Sequence, residues 1–269
     1  MQNHPTPNAD DDRTRLGGLP RALAAGLALV GLAALAVALA LGWCRHDQLR
    51  QFLASYLVSY MFFLSISLGA LCFVALQHLV RAGWSVTVRR LAEILAANLL
   101  YVGVLFLPIL IPLWLGWAGP YSAWLDPQQA ADAPLSAADA PLSAGKRVYL
   151  SLPFFTVRAV VYLAVWAVLG AFFLRHSTRQ DASGDPELTR RMEKASPGAL
   201  ILFGLTITFA AFDWLMSIEP LWFSTIFGLY YFAGAIVAAL GAVILFAVAL
   251  QGRGLVRHTI TTEHYHELG

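Results

Sequence analysis

The sequence predicts an all-α integral membrane protein with six transmembrane helices and both termini in the cytoplasm. Three observations carry that prediction. Hydrophobic residues make up 58% of the 269 residues and charged residues only 13%. That charged share is about half of what a soluble domain carries. The apolar residues lie in continuous windows near the roughly 20 residues a helix needs to cross a bilayer, not in the alternating pattern of a barrel. Lys and Arg, finally, gather in the connections on one side.

The elements follow in order. Residues 1–21, opening "MQNHPTPNADDDRTR", are polar and rich in Pro and Asp, and read as a disordered cytoplasmic tail. A cleavable signal is disfavoured, because no Ala-x-Ala-like site follows the first apolar stretch and further such stretches come after it. The six spans are residues 22–42, 52–80, 91–115, 148–174, 200–216 and 222–250, of which the fifth is short. Pro108 and Pro112 in "LPILIPLWLG" should kink the outer end of the third span. Residues 118–147 form a long periplasmic loop holding "AADAPLS" twice in tandem at 130–143, a low-complexity insertion in a tolerant place. Residues 251–269 form a cytoplasmic tail.

Orientation comes from the basic residues. With the N-terminus inside, the cytoplasmic segments hold Arg13, Arg15, Arg21, Arg81, Arg89, Arg90, Arg175, Arg179, Arg190, Arg191, Lys194, Arg253 and Arg257. The opposite side holds Arg45, Arg50, Lys146 and Arg147. This bias puts both termini inside. Trp114, Trp117, Tyr121, Trp124 and Trp222 sit at the outer helix ends, where interfacial anchors belong.

Several polar residues fall where an apolar helix should not carry them. Counted from residue 148, Arg158 is about 15 Å into the fourth span, near mid-bilayer. An arginine there costs at least about 2.5–3.5 kcal/mol and calls for a partner. Asp213 is the candidate, on the adjacent antiparallel helix. The pair reads either as a station on a proton or quinone path or as a buried structural ion pair. Tyr162 and Thr206 share those helices and extend the same polar route. Glu219, in "SIEPLW", reads as a solvated turn residue or as the outer mouth of that route.

On the cytoplasmic side, Glu93 follows Arg89 and Arg90 at ion-pairing distance along a helix. His78 ends the second span beside Arg81 and reads as interfacial. Tyr56, Tyr60 and Ser67 stripe one face of the second span, either joining helices or lining a hydrated path. His258, His264 and His266 belong to the tail and read as surface residues. Cys44 and Cys72 are too few and too far apart for a metal framework or an iron–sulfur signature, and read as inert small residues. No nucleotide, phosphate or nucleophile motif occurs, so any redox cofactor belongs to a partner and the chain is not catalytic alone.

Three stretches resemble a known family. "FDWLMSIEPLWFSTIFGLYYFAG" at 212–234 resembles the signature of the ActF subunits of alternative complex III, within the wider NrfD/PsrC-like group. "YLVSYMFFLSISLGALCFVALQHLVRAGWSVTVRRLAEI" at 56–94 is similar to that family's second helix and following loop, and "FFTVRAVVYLAVW" at 154–166 to its arginine-bearing fourth helix.

The resemblance implies a membrane subunit of a respiratory quinol:electron-carrier oxidoreductase, structural and proton-conducting, with spans two to five forming a four-helix bundle. It implies partners carrying haem c and iron–sulfur clusters, an ActC-like membrane subunit, quinone as the candidate ligand, surrounding lipid, and a bacterial inner membrane. Nucleic acid is not among the partners. Arg158 and Asp213 fall on matching positions of the family. Leu221 stands where many relatives carry histidine, which weakens a proton route at that turn.

The family has roughly ten helices in two bundles, so the chain ending at "TEHYHELG" reads as truncated, or completed by another polypeptide. Its sixth helix should then expose a face made for protein. The alternatives are an NrfD-type quinone-binding electron-entry subunit and, more remotely, a secondary transporter built around a midplane charge pair.

Overall fold

The computed structural model describes residues 19–44, 49–125, 144–257 and 259–269. The repeat at 130–143, most of the N-terminal tail and His258 lie outside them. Among the described residues, six helices are long and apolar enough to cross a membrane: Ala22–Trp43, Arg50–Leu79, Val86–Trp114, Leu152–Ser183, Pro186–Ile218 and Phe227–Gly252. By element these are α1 (Leu19–Trp43), α2 (Arg50–Leu79), the segmented α3 (Val86–Ala97), α4 (Leu99–Val104) and α5 (Leu107–Trp114), then α8 (Leu152–Ser183), α9 (Pro186–Trp214) and α10 (Phe227–Gly252). The short helices α6 (Ser122–Leu125), α7 (Ala144–Tyr149) and α11 (Thr262–Leu268) lie in the connections and at the C-terminus.

The central element is α2, which packs against α3, α9 and α10, while α8 packs against α9 and against α3 and α4. One close approach explains the tight α2–α10 contact. A Cβ at Gly69 would stand 2.0 Å from the Ala235 carbonyl oxygen, so only glycine lets the two backbones meet there. Gly170 does the same for α8 against Ala96, where a Cβ would lie 2.5 Å from the carbonyl oxygen. In contrast, α1 is exposed along nearly its whole length and touches the rest through Gly42, whose Cβ would meet Phe52.

Several boundaries differ from the sequence reading, each for a local reason. The fourth transmembrane helix begins at Leu152, not residue 148, because Ser151 is extended and Pro153 occupies the first turn. The stretch before it forms the separate α7. The fifth is not short. Asp185 caps it by accepting a hydrogen bond from the Glu187 backbone N–H at 2.9 Å, and Pro186 opens it well before residue 200. Its first turns are charged, so hydropathy alone misses them. The sixth begins at Phe227 because the residues just before it form turns.

In the third, the ladder breaks after Val104, whose carbonyl Pro108 has no N–H to reach. Tyr56 on α2 donates to the neighbouring freed carbonyl of Leu105 at 2.7 Å. That contact makes Tyr56 a joint between helices.

The C-terminal segment packs on the helices: Tyr265 donates to the Gln251 side chain at 2.8 Å, Gln251 donates to the Ile260 carbonyl at 2.7 Å, and Ile260 and Leu268 are buried. Cys72 is buried, whereas Cys44 is exposed.

The helices give the molecule two unlike ends. One carries Trp114, Trp117, Tyr121, Trp124 and Trp222 and is called here the aromatic end. The other carries Arg81, Arg89, Arg90, Arg175, Arg179, Arg190 and Arg191 and is called the arginine end.

Candidate functional site

Near the aromatic end, α8 and α9 run antiparallel and bring Arg158 and Asp213 together. Arg158 Nε donates to Asp213 Oδ2 at 2.8 Å and Nη2 donates to Oδ1 at 3.0 Å, a two-pronged pair. Asp213 is fully buried and the Arg158 side chain is 11% exposed. The third guanidinium nitrogen, Nη1, donates to the Tyr149 carbonyl at 2.7 Å. The Arg158 guanidinium also lies over the rings of Tyr149 and Phe154, at 3.8 and 4.4 Å from their centroids. Tyr162, one turn along α8, donates its O–H to Asp213 Oδ2 at 2.9 Å. The desolvation of the two charges is thus offset on every side.

The helix start changes the distance of Arg158 from the helix end. With α8 starting at Leu152, Arg158 lies about 9 Å from the helix end at 1.5 Å per residue. Asp213 is one residue from the end of α9. The pair therefore sits toward the aromatic end of these two helices, because the break at Ser151–Pro153 removes a turn that the apolar run suggested.

The end of α9 is buried, so its carbonyls need partners. Ser217 Oγ donates to the Asp213 carbonyl, and Tyr121 O–H donates to the Trp214 carbonyl at 2.9 Å. Lys146 Nζ on α7 donates to the Pro220 carbonyl, fastening α7 over the same turn. Burial, followed by the nearby Asp213 carboxylate, holds the phenols of Tyr121 and Tyr149 well above their ordinary range. Both stay protonated.

Beneath the pair, Trp214 is packed by Phe106 at 4.4 Å, Trp166 at 5.7 Å and Tyr60 at 6.3 Å between ring centroids. Thr206 belongs to this aromatic layer and does not touch Asp213. It accepts from Trp166 Nε1 at 2.8 Å and donates to the Leu202 carbonyl at 2.7 Å. Glu219 is exposed in the turn beyond α9, with its backbone N–H on the Met216 carbonyl.

A second polar cluster lies at the arginine end. Glu93 is 1% exposed and pairs with Arg90 at 2.9 Å and Arg89 at 3.5 Å, while Arg90 also reaches Asp181 on α8. His78, at the end of α2, is buried. It stacks on Phe173 of α8 with centroids 5.6 Å apart and planes at 12°. Arg81, its expected neighbour, pairs instead with Glu193 at 3.1 Å. Glu93, Arg89, Arg90, Ser177 and Asp181 line one cavity of about 260 Å³. His264 is partly exposed and His266 exposed on α11. No group of three or more His, Cys, Asp or Glu gathers among the described residues to hold a metal ion.

Sequence reasoning missed Tyr149, Tyr121 and Ser217. Ser217 follows Asp213 by one helical turn and was there to be found. Tyr149 and Tyr121 reach the site through connections that carry no periodic signal. Chemically, the outer cluster is a carboxylate held by a fixed cation and by a phenol that donates to it. Compared with known proteins, the chain matches no family model and no curated protein.

Proposed function

We propose that this chain is an integral membrane subunit of a respiratory quinol:cytochrome c (or other electron carrier) oxidoreductase of the alternative complex III type. Its role is to build part of the membrane arm and to conduct protons past Arg158 and Asp213. The observation that carries the reading is the buried Arg158–Asp213–Tyr162 cluster, formed between two of the three stretches that resemble the ActF subunits. Intramembrane charges are expensive and are retained where they serve a path or a site.

On this reading α2, the α3–α5 span, α8 and α9 form a four-helix bundle. The packing of α2 on α3 and α9, and of α8 on α9 and α4, supports that arrangement. The arginine end faces the cytoplasm of a bacterial inner membrane, both termini are inside, and subunits carrying haem c and iron–sulfur clusters dock at the aromatic end.

A quinone-binding, electron-entry role of the NrfD type is the second reading. The position of the pair favours it: near the aromatic end, the cluster lies where a docked iron–sulfur subunit could exchange electrons with a quinone. The test is purification from the native membrane in mild detergent, read by mass spectrometry and a haem c spectrum. Co-purifying haem and iron–sulfur subunits support the respiratory assignment. A clean chain with no haem and no partner overturns it and brings a transporter forward.

A further inference from the structure

A cavity of about 650 Å³ opens at the arginine end between the last turn of α2 and the first turns of α9. Leu79, Arg81, Thr189, Arg190, Glu193 and Lys194 line it. Its position follows from how α10 crosses the bundle. Toward the aromatic end α10 covers α9, through Gly228 on Thr208 and Phe232 on Phe203. At the other end it leads to α11, which shares a cavity with Trp84 of the α2–α3 turn. The cleft between α2 and α9 at the arginine end is thus left open.

Three cations and one carboxylate border the cleft, and the carboxylate, Glu193, is already held by Arg81 at 3.1 Å. Arg81 and Arg190 are exposed, at 77% and 69% of the side chain, and Arg190 meets Glu187 only at 3.8 Å. Directly below, the same faces turn apolar: Leu76 and Leu79 on α2, and Ile201 two turns beyond Lys194 on α9, are all exposed. A net positive rim above exposed apolar helix faces, at the end of six membrane-length helices, complements one kind of ligand: an anionic head on apolar chains.

We infer that this cleft binds an anionic phospholipid, with its phosphate among Arg81, Arg190 and Lys194 and its acyl chains over Leu76, Leu79 and Ile201. A lipid is favoured over a free anion because the apolar faces continue out of the cavity into the membrane-spanning region.

The experiment is lipid exchange on the purified protein, in whatever complex it leaves the membrane, with phosphatidylglycerol and phosphatidylcholine added in equal amounts and retention read by native mass spectrometry. Phosphatidylglycerol is retained in preference, and the double variant Arg190→Gln/Lys194→Gln loses that preference by roughly fivefold for each cation removed. The control Arg175→Gln/Arg179→Gln removes equal charge from α8 at the same end and leaves the preference in place. Equal retention of the two lipids by the unaltered protein overturns the site. So does an equal loss in the control, which would mean a diffuse surface charge. Displacement of phosphatidylglycerol by millimolar inorganic phosphate would also overturn it, in favour of a free-anion site.

Discussion

The two polar clusters of this protein solve the same problem in different ways. They are set about 28 Å apart along α8, from Arg158 to Ser177. At the aromatic end each charge meets hydrogen-bonding atoms at short range: both Asp213 oxygens accept, and three Arg158 nitrogens donate. At the arginine end Glu93 is held by ion pairs whose atoms are not aligned as hydrogen bonds, and His78 Nε2 has no partner among the described residues. Between them lie Trp166, Gly170 and Phe173, a layer of ring and backbone contacts. The lesson concerns water. The charge pair between α7 and the aromatic layer is satisfied by protein atoms. A cluster beside an open cavity and next to arginines can be completed from solvent.

The sharpest way to break this comparison is Asp213→Ala. It strands Arg158 with no other paired anion among the described residues and should destabilise the protein by about 3–5 kcal/mol, read as a drop in the thermal unfolding midpoint in detergent. Pairing the loss with Arg158→Met should recover part of it. If the double variant loses the sum of the singles, the two charges do not couple and the outer site is not the closed pair described here.

Tyr162→Phe removes one hydrogen bond to a charged acceptor and should cost about 1.5–3 kcal/mol by the same measurement. An unchanged midpoint would mean that Asp213 finds a replacement donor, so the site is wetter than its burial implies.

At the arginine end the expected sign reverses. His78→Phe keeps the stack on Phe173 and removes a buried nitrogen without a partner, so stability should hold or rise by about 1 kcal/mol. A clear loss would reveal a water bound to that nitrogen, and the contrast between the clusters would sharpen further. Asp181→Asn touches a side chain that is 67% exposed, and should shift stability by less than about 1 kcal/mol. A large loss there would show that the Glu93–Arg90–Asp181 chain works as one unit rather than as a surface pair.

Much of the fold could be read from the sequence for a plain reason. Apolar windows of membrane length announce spans, and Arg158 and Asp213 announce each other because isolated charges in such windows need partners. The local pairing of Glu93 with Arg89 and Arg90 was legible for the same kind of reason, since it is set by helical spacing alone. Depth was harder. The apolar run through Val148 hid the break at Ser151–Pro153, and the charged turns of α9 hid its true start. His78 shows the other limit, because its burial depends on Phe173, a residue on a different helix.

What the sequence determined by itself was therefore the number of spans, their arginine-rich and aromatic ends, and the identity of the one charge pair that had to meet. These follow from the transfer cost of apolar and charged groups, a property of each segment alone. Only the tertiary structure decided how near the end that pair sits, and that Tyr149 and Tyr121 would close around it. It also decided that Gly69 would let α10 lie against α2, and that the cleft between α2 and α9 would stay open. Those outcomes depend on which backbone meets which across distant parts of the chain, and no local preference encodes such a meeting.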